Sequence, residues 1–110
     1  DGVQKGRATV DSEPEVERTL GAAALSREQT VYAAVTTTNY PLEVRFSPEV
    51  RNWDSYTICD RVVAAFEAAD LRYQANEREK IARTEGAARA AASGYPSTEE
   101  ADRAESALNF

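Results

Sequence analysis

The sequence predicts an α+β fold in which an antiparallel β-hairpin is followed directly by a long helix. Two observations support this prediction. A β-branched run at residues 31–38 is followed by a return strand, Leu42 to Phe46, in which apolar and polar residues alternate, and from residue 56 onward apolar residues recur at three- and four-residue spacing. A chain of 110 residues is the size of one domain. We expect residues 1–13 to form a flexible N-terminal arm and residues 14–110 to form a single domain.

The N-terminal part of the predicted domain carries helix signals. In "PEVERTLGAAAL", Pro14 stands near a helix start, acidic residues follow it, and Val16 and Leu20 are four residues apart. These features predict a short helix over residues 14–25. The sequence "ATV" at residues 8–10 leaves open an additional short edge strand.

The predicted hairpin consists of a β-branched run at 31–38 and a return strand from Leu42 to Phe46. Asn39, which tolerates left-handed backbone geometry, marks the turn between them. In the return strand Leu42, Val44 and Phe46 share one face, so the hairpin has an apolar side that must be covered.

The long helix is predicted to supply that cover. Asp54 or Ser55 can cap its N-terminus, and the apolar stripe that follows includes Cys59, which we expect to be a buried structural thiol. The only tryptophan, at position 53, is expected to close the core or to contact a second copy. The residues predicted to form the core and the dimer contact are Val31, Val35, Leu42, Val44, Phe46, Trp53, Val62, Val63 and Phe66.

Helix-forming residues continue the helix to about residue 92, where "SGYP" is a stop signal. A helix over 55–92 would be roughly 55 Å long, whereas a compact domain of this size has a radius of gyration of about 13 Å. The predicted helix therefore projects as an arm or finds a partner; the alternative is that the chain turns at Gly86 and folds back. Ser97 and Glu100 predict a capping box that starts a short C-terminal helix.

The composition excludes several functional classes. The chain has no histidine, one cysteine and a net charge of -6. It therefore offers no histidine-dependent triad, no ordinary zinc site and no glycine-rich phosphate loop, and we expect neither an enzyme nor a cofactor. A single cysteine excludes an internal disulfide framework and is typical of a reducing, cytoplasmic setting. The acidic charge argues against a uniformly basic nucleic-acid binder.

The segments "TVYAAVTTTNYPLEVRFSPEV" and "ICDRVVAAFEAADLRYQ" together resemble the YbaB/EbfC family of bacterial nucleoid-associated proteins. The resemblance covers about 50 residues: the two strands with their turn, Pro48 and Val50 after the return strand, and the small and apolar residues of the helix. It implies a cytoplasmic, nucleoid-located homodimer whose helical arms bind double-stranded DNA without sequence preference. An Ala- and Arg-rich composition without methionine is typical of high-GC actinobacteria, which contain divergent members linked to type VII secretion.

Two functional hypotheses follow. In the first, cations of the arm contact DNA phosphates; residues 72–89 carry a net charge of +2, and the candidate residues are Arg72, Arg78, Lys80, Arg83 and Arg89. In the second, the protein does not bind DNA and is an interaction module associated with type VII secretion, binding a helical protein partner. "YQANE", from Tyr73 to Glu77, fits the loose pattern of tyrosine, three residues and an acid found in type VII substrates, although Tyr73 also closes the predicted apolar stripe.

Overall fold

A computed structural model describes residues 19–110, and its architecture is α+β. Three strands form one sheet, a long helix packs on the sheet, and two shorter helices follow. The elements in chain order are β1 (Leu20–Leu25), β2 (Val31–Thr36), β3 (Pro41–Phe46), a 3₁₀ turn (Pro48–Asn52), α1 (Ser55–Glu85), α2 (Ala87–Ala92) and α3 (Thr98–Ser106).

The sheet is antiparallel with the order β1-β2-β3. Ala33 of β2 lies opposite Ala24 of β1 on one side and opposite Val44 of β3 on the other, so these three side chains share a face. This face carries most of the strand residues in the core. The hairpin prediction is confirmed, including the left-handed backbone of Asn39, whose φ is 68°.

The predicted helix at residues 14–25 is wrong for its second half, because Leu20–Leu25 forms β1. The first half, like the alternative strand at 8–10, lies outside the described residues. Alanine favours helices, but pairing with β2 overrides that local preference. Gly21 makes the pairing feasible, since a Cβ at this position would lie 2.6 Å from the carbonyl oxygen of Thr36.

Helix α1 begins where the sequence predicts. The carboxylate of Asp54 accepts a hydrogen bond from the backbone N–H of Thr57 at 2.8 Å, which caps the helix N-terminus. This hydrogen bond lowers the pKa of Asp54.

The face of α1 that packs on the sheet differs from the predicted stripe. Its fully buried residues are alanines, at positions 65, 68, 69 and 75. Ala65, Ala68 and Ala69 meet the small side chains of β1 and β2, among them Ala22, Ala24 and Ala33. Small residues on both surfaces let a helix approach a sheet closely. The larger apolar residues of α1 therefore lie at the border of the contact instead of at its centre.

The predicted continuous helix over 55–92 is interrupted. Gly86 adopts φ = 98°, a conformation that favours glycine, and α1 ends at Glu85. The chain then folds back along α1: Arg78 donates a hydrogen bond to the carbonyl oxygen of Tyr95, and Thr98 donates one to Glu79. The alternative of a turn at Gly86 is thus confirmed, and the helix does not continue unbroken to residue 92.

The C-terminal part of the chain completes the fold. The predicted capping box of Ser97 and Glu100 starts α3. After α3, Leu108 and Phe110 are buried in the core, and the ring of Phe110 lies edge-on to Trp53 with 6.2 Å between ring centroids. The guanidinium of Arg61 lies over both rings, 4.3 Å from the centroid of Trp53 and 4.9 Å from that of Phe110.

The residues predicted to form the core and the dimer contact differ in burial within this chain. Val31 and Val35 are buried, and Trp53 and Phe66 pack against the core. Helix α1 covers β1 and β2 but not β3, so Val44 and Phe46 remain 38% and 46% exposed. The remaining predicted core residues are at most half-buried in this chain, namely Leu42, Val62 and Val63. Cys59 is exposed, which corrects the prediction of a buried thiol.

Candidate functional site

The uncovered part of the sheet and the adjoining side of α1 form a continuous candidate site. From β3 it includes the apolar face that the hairpin was predicted to bury. From α1 it includes the larger apolar residues beside the alanine contact. We call this the β3–α1 surface, and it consists of Leu42, Val44, Phe46, Ile58, Val62, Val63 and Phe66.

The two parts of the surface meet near the start of α1. Phe46 and Ile58 line one open groove together with Val50 of the 3₁₀ turn. Val62 and Phe66 follow Ile58 at four-residue spacing, so the three side chains lie on the same side of the helix. A row of apolar side chains therefore runs along α1 beside the uncovered strand.

Polar groups border this surface on both elements. On the opposite face of β3, Arg45 donates two hydrogen bonds to the carboxylate of Glu43, the shorter at 2.6 Å, and lies over the ring of Tyr32. On α1, Asp70 continues the spacing of Phe66. Partial burial and the neighbouring charge of Glu67 raise the pKa of Asp70.

The five cations predicted to contact phosphate do not form one free patch. Arg72 is directed at α3, where it lies 2.6 Å from Asp102 and 3.2 Å from Glu105. The hydrogen bond to Asp102 is the main reason that the pKa of Arg72 is raised. Together with the hydrogen bond from Arg78 to the backbone at Tyr95, this contact stabilises the folded-back C-terminal part.

The other three cations are more accessible. Lys80 pairs with Glu77 at 3.1 Å and Arg89 pairs with Glu85 at 3.6 Å, both on exposed surface. Arg83 is exposed and has no ion pair or hydrogen bond within residues 19–110.

The residues of the type VII pattern are also engaged within the chain. Tyr73 is half-buried and donates a hydrogen bond to the carbonyl oxygen of Thr37 at 2.6 Å, while Glu77 pairs with Lys80. The pKa of Tyr73 is raised, mainly because burial removes its hydroxyl from water. Tyr73 thus connects α1 to the end of β2, as expected for a residue with a structural role.

Sequence reasoning missed the contribution of α3 and the C-terminal residues to the sheet. Glu105 accepts a hydrogen bond from the backbone N–H of Leu25. The N–H groups of Arg27 and Glu28 donate to the carbonyl oxygens of Leu108 and Phe110. The available signal was the pair of large apolar residues in "ALNF", which an exposed chain end would not need.

The described part of the chain contains no cluster of three or more histidine, cysteine or acidic side chains placed to hold a metal ion. Within the same residues no helix is both long and apolar enough to span a bilayer. Comparisons of the sequence and the fold with protein-family models, with curated proteins and with solved structures found no match.

Proposed function

We propose that this protein is a homodimeric interaction module of the YbaB/EbfC type, in which two copies associate through the β3–α1 surface. The observation that carries this proposal is the uncovered apolar face of β3. Val44 of β3 lies opposite Ala33 of β2. Ala33 is fully buried in the core, whereas Val44 is open to solvent.

The arrangement on α1 supports the same conclusion. Val63 is 55% exposed, Ile58 and Val62 are only half-buried, and Phe66 packs against the core with part of its side chain still accessible. Single exposed apolar residues are ordinary on protein surfaces, but a contiguous apolar patch on two adjacent elements is typical of an interaction surface. Binding of a second copy would remove both parts from water together.

Sedimentation velocity across a micromolar concentration range tests the proposal. The wild-type chain is expected to sediment as a dimer, and Phe46→Lys as a folded monomer, because a buried ammonium in the contact has no partner. Leu20→Lys is the matched control, since Leu20 is a comparably exposed apolar residue on β1; it is expected to leave the dimer unchanged. A wild-type chain that remains monomeric throughout the range would overturn the proposal.

A second candidate function is weak, non-specific DNA binding by the dimer. The observation that favours it is the accessible group of Lys80, Arg83 and Arg89. Exposed ion pairs contribute at most about 1 kcal/mol, so Lys80 and Arg89 can exchange their carboxylate partners for phosphates. Arg83 has no partner to release among the residues that the structure describes. Arg72 and Arg78 are not part of this candidate site, because their contacts stabilise the fold.

A mobility-shift titration with double-stranded DNA tests this candidate. Micromolar protein is expected to form a complex at about 50 mM salt and to lose it near 200 mM, since the release of counterions drives such binding. Arg83→Ala should weaken the complex, whereas Arg51→Ala, an exposed cation of the 3₁₀ turn, should not. Absence of a complex at low salt would exclude DNA as the ligand while leaving the dimer untouched.

A further inference from the structure

We propose that the site occupied by residues 107–110 is a binding site for a short non-helical segment of another protein, one with a leucine and an aromatic residue two positions apart. The chain's own sequence at this site, "ALNF", is the resident occupant that such a partner replaces. We call it the ALNF segment. It lies at the end of β1, and β1 and β3 are opposite edges of the sheet, so the inference does not depend on the proposed homodimer.

The backbone of the ALNF segment is held by the turn that follows β1. Three carbonyl groups at alternate positions, those of Ser106, Leu108 and Phe110, each accept one hydrogen bond. The side chain of Arg27 donates the first at 3.2 Å, and its backbone N–H donates the second at 2.8 Å. The N–H of Glu28 donates the third at 2.9 Å. Hydrogen bonds to backbone carbonyls do not depend on the side chains, so these donors fit other sequences in the same conformation.

Selectivity comes from the two side chains that the ALNF segment buries. Leu108 and Phe110 are 2% and 8% exposed, whereas Asn109 between them is exposed. The ring of Phe110 meets Trp53 edge-on, and the guanidinium of Arg61 lies over both rings. This arrangement favours an aromatic residue at the second position. Peptide-binding sites at sheet edges combine backbone hydrogen bonds with pockets for alternate side chains in the same way.

The ALNF segment can leave its site without unfolding α3, because α3 has contacts of its own. Ala101 is fully buried, and Glu105 accepts a hydrogen bond from the N–H of Leu25 and pairs with Arg72. The backbone donors and the aromatic contact of the site belong to the turn after β1 and to residues 53–61, which precede α3 in the chain. A vacated site therefore keeps the elements that form it.

The resident segment lowers the affinity of the site for a partner. An intramolecular occupant reduces the apparent affinity by the fraction of time for which the site is open. We therefore expect the wild-type chain to bind a partner segment weakly. A chain in which the resident phenylalanine is truncated should bind it more tightly.

Titration with a synthetic peptide tests the site. The probe is acetyl-Ser-Ala-Leu-Asn-Phe-amide, and the readout is the fluorescence emission of Trp53, the single tryptophan of the chain. Phe110→Ala is expected to bind the probe at least about tenfold more tightly than wild type. Tyr95→Ala is the matched control, since it truncates an exposed aromatic residue before α3; it should bind the probe like wild type. A second probe with alanine in place of both leucine and phenylalanine should bind none of the three chains.

Two results of this titration would overturn the proposal, namely equal affinity of Phe110→Ala and wild type for the probe, and equal affinity of Phe110→Ala for the two probes. A third measurement concerns a second copy as the occupant. If the emission of an equimolar mixture of Phe110→Ala and wild type differs from the mean of the separate chains, the vacated site takes the ALNF segment of another copy, and the separate partner is overturned.

Amide hydrogen exchange of the wild-type chain keeps the proposal testable if Phe110→Ala does not fold. The N–H groups of Arg27 and Glu28 bond to the ALNF segment, whereas the N–H of Gln29 in the same turn bonds to the carbonyl oxygen of Ser26 at 2.8 Å. The first two amides are expected to exchange by local opening, and millimolar probe should slow them while Gln29 stays unchanged. Exchange of Arg27 and Glu28 only through global unfolding, or without a response to the probe, would overturn the proposal.

Discussion

The two edges of the sheet differ in whether their outward backbone N–H and C=O groups have a partner. At the β1 edge, the outward N–H of Leu25 is bound by Glu105, and the next turn is bound by the C-terminal residues. At the β3 edge, the outward groups of residues 44 and 46 have no partner strand among residues 19–110. Within residues 19–110, the C-terminal segment thus covers the end of the β1 edge, whereas no described strand pairs with the β3 edge.

The difference shows where the fold can accept another molecule. An open strand edge is a template for pairing, and proteins commonly blunt such edges with proline, charge or a covering element. Here the covering element lies on β1, while β3 carries only the prolines at its two ends and a pair of opposite charges in its centre. Proline at the ends restricts the length of pairing without preventing it, so the middle of β3 can still accept another strand.

The largest expected effect comes from opening the closed edge. Leu108→Ala removes a buried side chain that is 2% exposed, and we expect it to lower the free energy of unfolding by about 3 kcal/mol. Urea denaturation measures this change. Leu20→Ala, which truncates a leucine of β1 that is 55% exposed, should change stability by less than about 0.5 kcal/mol. Equal losses for the two variants would contradict the role of the C-terminal residues in the core.

The hairpin, the caps and the turn residues could be predicted from the sequence because each depends on neighbours a few positions away. Asp54 caps α1 and Ser97 opens α3 through contacts three residues along the chain. β1 was mistaken for a helix because "LGAAAL" has a local helical preference that only pairing with β2 overrides. Closure of the β1 edge joins residues separated by 80 positions, and no local pattern reports such a contact.

The candidate site was predicted as a set of residues but not as a surface. Leu42, Val44 and Phe46 were correctly placed on one apolar face, but the sequence could not reveal that α1 covers β1 and β2 instead. Helix α1 packs on β1 and β2 because its buried alanines contact the alanines of these two strands. The cations at 72 and 78 were predicted to face solvent because the return of the chain after Gly86 was only an alternative.

A pair of proline substitutions sharpens the comparison within β3 itself. The N–H of Glu43 faces β2, so Glu43→Pro removes a ladder hydrogen bond and should destabilise the monomer by about 2 kcal/mol. The N–H of Val44 faces the open edge, so Val44→Pro should cost the monomer much less. Val44→Pro should nevertheless weaken self-association, because it alters a side chain of the proposed β3–α1 contact.

Urea denaturation and sedimentation velocity of the same two variants separate these effects. The expected pattern is a weakened fold for Glu43→Pro and a retained fold with a weaker dimer for Val44→Pro. If Val44→Pro dimerises like wild type, the two copies do not meet through the β3–α1 surface.

The smallest expected effect concerns Asp70, which continues the row of Phe66 on the side of α1 next to the open strand. Its pKa is raised in the folded chain by partial burial and by Glu67. An acid with a raised folded pKa opposes folding while it is ionised, so this contribution disappears as the pH falls through the folded pKa toward the unfolded value.

Asp70→Asn should therefore be slightly more stable than wild type at pH 7, by about 0.5 kcal/mol or less, and the difference should vanish at acidic pH. Urea denaturation of both chains at several pH values measures it, and an advantage of wild type at pH 7 would show that the carboxylate has a stabilising partner on this side of the helix.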